Sequence, residues 1–100
     1  MLLQKAYEQN DVVSFKLTSG EEIVARLHEE EMACFVIKKP LALIPGPNGG
    51  IGLAPAVFTV NPEDLVRLNK TAIAMHAKTV EQIAGQYLQQ TTGLAVAKSL

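Results

Sequence analysis

The chain has 100 residues, 48% of them hydrophobic and 19% charged, a balance that fits one compact domain and is opposite to that of a disordered chain. Nine basic and ten acidic residues leave a formal net charge of −1, which excludes the broad positive field of a general nucleic-acid coat, so any such site has to be local. Cys34 is the single cysteine, which rules out a disulfide within the chain and a thiolate zinc cluster.

In chain order, Leu2, Leu3, Ala6 and Tyr7 predict one or two helical turns near the N-terminus. Val13, Phe15 and Leu17 then alternate with polar residues, as in a half-buried strand. Ser19-Gly20 marks a turn, after which Ile23, Ala25 and Leu27 alternate against Glu22, Val24, Arg26 and His28, predicting a β-hairpin. Glu29–Glu31 is a polar break. Cys34–Ile37 is an apolar run closed by Lys38-Lys39-Pro40, where Pro40, without an N–H, marks a bulge, an edge or a strand end. The chain stays extended to Ile44 and enters the loop Pro45–Gly50, with Asn48-Gly49 suited to a tight reversal. Ile51–Val60 reads as a strand interrupted by Pro55, and Asn61–Asp64 as a turn into a short strand at Leu65–Leu68. Ala72–His76 is the last strand. Thr79 and Gln82 have capping-box spacing, Val80, Ile83, Ala84, Tyr87 and Leu88 share one helical face, and Gly93 is placed to end the helix. That apolar face has to cover one end of the β-structure or a neighbouring protomer.

Short strands with Gly/Pro turns and a terminal helix predict a small, mainly β barrel rather than a βαβ sheet. The expected organisation is one domain, with the barrel over residues 11–77 and the helix over 79–92. No run approaches the ~20 apolar residues needed to span a bilayer, and no secretory segment is evident, so no membrane contact and a cytoplasmic location are expected.

Two stretches resemble the motifs of the Sm-like (LSm) family. Leu17-Thr18-Ser19-Gly20 stands at the family's Leu-x-Asn-Gly turn, followed by Ile23, Ala25 and Leu27, with Glu31 near the Asp position. Val66-Arg67-Leu68-Asn69 is similar to the second motif, with Leu68 in place of Gly. Glu21–Ala25, Lys38–Pro40 and Ile51–Pro55 together look like the small Sm-like proteins of marine phages, which implies a host-cell cytoplasm for a phage-encoded chain. The resemblance implies a strongly bent five-stranded barrel (SH3-type) and a homo-oligomeric ring of about five to seven copies, built by pairing edge strands between subunits. Unpaired sheet edges independently call for partners.

For function, the resemblance implies single-stranded RNA at the ring lumen. Phe35 stands where the family's base-pocket Asn would, offering stacking, and Arg67, Asn69 and Lys70 cluster at one turn, either as phosphate or base-edge contacts or as a solvated turn. Lys38-Lys39 either touches phosphate or protects a strand end. The alternative is a structural or adaptor ring of phage origin that has lost the base pocket. His28 and His76 are too far apart in sequence for a metal spacing, no nucleophile has an activating base, and Pro45–Gly50 lacks the ending of a phosphate loop. No catalytic residue, metal or cofactor is expected. Cys34 is expected to be a buried, inert thiol.

Overall fold

The computed structural model describes residues 5–92. It is mainly β: β1 (Val12–Leu17), β2 (Glu22–Glu30), β3 (Cys34–Pro45), β4 (Ile51–Pro55), β5 (Leu65–Asn69) and β6 (Ile73–Lys78), followed by one helix, α1 (Glu81–Thr92). All strand pairs are antiparallel, in the order β4-β3-β2-β1-β6, with β5 also on β3.

Six segments fill five strand positions. β5 pairs with β3 over Cys34–Lys38 and β4 pairs with it over Leu41–Pro45, both on the edge away from β2. β4 and β5 therefore act as one strand broken by residues 56–64. The strand expected over Ile51–Val60 ends instead at Pro55, where β3 itself is irregular: Ala56 N–H donates to the Pro40 carbonyl, and the chain then leaves the sheet. Asn61–Asp64 forms the expected turn, with Asp64 N–H bonded to the Asn61 carbonyl at 2.9 Å.

The sheet is strongly bent. β5 and β6 sit at opposite ends of five positions, which in a flat sheet would be roughly 19 Å apart at ~4.8 Å per strand. Only the 3₁₀ turn Lys70–Ala72 joins them, and at ~2 Å rise per residue it spans about 8 Å. The two ends of the sheet are thus drawn together.

Each face of this sheet buries its own cluster. Val13, Phe15, Ile23, Ala25, Leu27, Phe35 and Ile37 fill the inner face, with Leu17, Val66, Leu68 and Ile73 at its margins. On the other face Val24, Leu41 and Leu53 pack under Tyr87, Ile83 and Leu88 of α1. Val24 falls at a position that alternation assigns to the polar side, yet it is fully buried because the helix lies over the sheet face. At Tyr87, Ile83 and Leu88 the helix thus covers a face of the sheet. Burial of a side chain such as Val24 contributes ~1.5–3 kcal/mol.

Pro40 marks a bulge. Pairing steps from Val24↔Leu41 to Arg26↔Lys38, which sets one intervening residue on β2, Ala25, against two on β3, Lys39 and Pro40. Lys39 takes a left-handed φ of 50° there, uncommon for a residue with a side chain. In the β3–β4 loop Asn48 and Gly49 adopt φ of 60° and 79°, as the expected reversal requires.

Two local expectations fail. Residues 5–10 form bends and a turn rather than helix. Asp11 is the reason: its carboxylate accepts the Glu8 N–H at 2.9 Å and its own N–H bonds the Glu8 carbonyl, a closed loop that competes with helical bonding. Residues 1–4 lie outside the described residues. The Thr79 hydroxyl meets Ser14 Oγ at 2.7 Å instead of the Gln82 amide, tying the helix entrance to β1. Gly93 also lies outside the described residues. Among the described residues no helix is long and apolar enough to cross a membrane.

Candidate nucleic-acid interface

β5 and the turn after it gather the sequence-predicted polar residues. Arg67 lies opposite Val36 and Asn69 opposite Cys34, and Lys70 opens the 3₁₀ turn with its N–H on the Ala33 carbonyl at 2.9 Å. Pairing with β3 thus brings Arg67, Asn69 and Lys70 against the β2–β3 connection, which carries Glu30 and Glu31.

The carboxylates meet the cations. Lys70 Nζ is 2.8 Å from Glu30 Oε2, both side chains largely shielded, and lies over the Phe35 ring at 5.1 Å from its centroid. Arg67 Nε is 3.8 Å from Glu31 Oε1, and Arg67 keeps 64% of its side chain exposed. An exposed pair of this kind contributes at most ~1 kcal/mol, so Arg67 is restrained rather than locked. The Cys34 thiol also donates to Glu31 Oε1, at 3.3 Å. Burial, with the Glu31 carboxylate adding to it, pushes the Cys34 thiol above its ordinary pKa. The side chain is buried, as expected for an unreactive thiol.

Phe35 stands apart from the other three. It is 1% exposed, with ring centroids 5.2 Å from Phe15, 5.0 Å from His76 and 6.3 Å from Tyr7. A base stacks only on an open ring face, and here the faces are covered by Phe15, Tyr7, His76 and the Lys70 ammonium. Its place in the inner cluster follows from alternation along β3 together with Ile37.

Tyr7 and His76 were not singled out by the sequence for this site. The Tyr7 hydroxyl is 2.7 Å from His76 Nδ1, pinning the N-terminal segment to β6. Burial pushes the Tyr7 phenol up, and Glu30 adds to the shift. Only the inward register of β6, where His76 faces Phe15, would have signalled the pairing. The depression beside Tyr7, about 650 Å³, is lined by Lys5 and His28 but also by Glu8, Glu29 and Glu30. Glu30 is thus shared between this depression and the Lys70 ion pair. His28 Nδ1 meets Gln9 Nε2 at 3.3 Å. Among the described residues no three His, Cys, Asp or Glu side chains gather as a metal site.

No protein-family model matches this sequence, and no curated protein matches it either.

Proposed function

We propose that this chain is a non-catalytic, self-assembling protein of the Sm-like kind: a five-position barrel closed at the β5–β6 corner, whose copies form a ring by edge-to-edge strand pairing. One observation carries the proposal. Among the described residues β5 pairs only with β3 and β6 only with β1, and the two strands expose Leu65 (42%) and Met75 (66%). Unpaired apolar edges are a liability that a closed ring removes. β4 is treated differently, because Gln86 and Gln90 of α1 donate to its Ile51 and Leu53 carbonyls at 3.2 and 2.9 Å.

Of two roles for such a ring, the structural or adaptor role has the better support, because Glu30 and Glu31 offset the two cations of the β5 turn. Single-stranded RNA at the lumen is the second reading, favoured by the exposure of Arg67 and Asn69. Light scattering over a dilution series tests assembly. A particle of several copies at micromolar concentration is expected, reduced to smaller species by Leu65→Lys or Met75→Lys. A wild-type monomer at that concentration overturns the ring.

A further inference from the structure

The β2–β3 bulge creates a second charged site that the ring does not use. Arg26 on β2 lies directly opposite Lys38 on β3, and both side chains are half-buried beside the last turn of α1. Cations in directly opposed cross-strand positions repel one another. Lys39, the next residue, has its own partners: its ammonium donates to the Thr91 carbonyl at 3.1 Å and lies 3.5 Å from Glu63 Oε2. That accounts for one cation at the helix C-terminus, where positive charge is favoured. It does not account for Arg26 or Lys38, neither of which forms an ion pair among the described residues.

Arg26, Lys38, Lys39, Glu63, Tyr87, Thr91 and Thr92 line a cavity of about 120 Å³. At roughly 30 Å³ per water, that is space for about four waters, or for one small tetrahedral anion. We propose that this cavity binds a phosphoryl group between the Arg26 guanidinium and the Lys38 ammonium. The guanidinium offers two parallel N–H donors to two phosphate oxygens, and the ammonium supplies a point charge from the facing strand. A bound dianion converts the repulsion of the pair into a bridge across the bulge. Glu63, largely exposed on the Lys39 side of the cavity, disfavours the anion there and leaves the Arg26–Lys38 side to it. The site stands on residues separate from Arg67–Lys70 and does not depend on the ring. Inorganic phosphate and the phosphates of a polynucleotide share this chemistry.

The test is thermal unfolding of the full chain in inorganic phosphate against chloride at equal ionic strength, with phosphate affinity measured by NMR titration. Phosphate is expected to raise the melting temperature of the wild type to a plateau. Its dissociation constant should weaken at least tenfold in Arg26→Gln and in Lys38→Gln and be unchanged in Lys16→Gln. In chloride alone the first two variants are expected to melt at or above the wild type, since the opposed charges are relieved, which also establishes that they fold. Equal wild-type melting in the two salts, or phosphate binding retained in both variants, overturns the proposal. Adding a single-stranded RNA oligonucleotide to the phosphate-saturated protein then identifies the source. Displacement of phosphate assigns the site to a polymer's phosphates, and its absence to the free anion.

Discussion

The phenol oxygen of Tyr87 accepts the backbone N–H of Arg26 at 3.0 Å, joining the middle of α1 to the middle of β2. Its proton is shared between the carbonyls of Lys38 and Lys39, at 3.0 and 2.9 Å. These are the backbone groups that the Lys39-Pro40 bulge takes out of the ladder, so one buried side chain completes the hydrogen bonding of a broken strand pair. The sheet and its helix are fastened at that point.

Tyr87→Phe keeps the ring but leaves those groups unpaired, and should cost ~1–3 kcal/mol by chemical denaturation. It should also change the alkaline limit of stability. Burial pushes the Tyr87 phenol up to about 12, against about 10 in the unfolded chain. Between those values the unfolded state binds fewer protons, so stability falls as pH rises. The contribution, on the order of 2–3 kcal/mol, is fully present below pH 10 and lost on the way to pH 12. Wild type and Tyr87→Phe should therefore converge over that window. Parallel curves would show that Tyr87 does not titrate with unfolding.

Phe35 should behave as a core residue. Truncation to Ala removes a ring packed against Phe15, and a loss of ~3–5 kcal/mol in unfolding free energy is expected. A stable Phe35→Ala protein whose only defect was RNA affinity would instead restore the stacking role.

Cys34 should react slowly with a bulky thiol reagent in the native state, because the thiol is buried and its raised pKa keeps the thiolate scarce near neutrality. Denaturant should restore the full rate. Cys34→Ser, which keeps a donor for Glu31, should cost on the order of 1 kcal/mol, read from the denaturation midpoint.

Arg67 separates the two roles proposed above. Fluorescence anisotropy of single-stranded RNA at two salt concentrations should show weaker binding for Arg67→Ala, with the salt slope reduced by about one. Glu31→Gln should strengthen binding, since it releases the guanidinium from its carboxylate. RNA that does not bind the wild type at low salt leaves the adaptor role.

Alternation in Val13–Leu17 and Ile23–Leu27, the Ser19-Gly20 and Asn48-Gly49 turns and the stripe Ile83, Tyr87 and Leu88 of α1 were legible in the sequence, whereas Val80, expected on the same face, precedes the helix and is exposed. Each depends on neighbours a few residues apart, where local sterics and the period of burial decide. The clustering of Arg67, Asn69 and Lys70 was legible for the same reason.

Long-range contacts decided the rest. Val24 reads as a solvent-side residue until α1 covers it, and Phe35 reads as an available ring until Tyr7 and His76 close over it. Glu30 is 40 positions from Lys70, and no local pattern pairs them. Nor does any pattern place Arg26 opposite Lys38, since the residue added at Lys39 resets the register there. Composition and periodicity determine which residues prefer to be buried. Which charges meet depends on strand register and on the docking of the helix over the sheet.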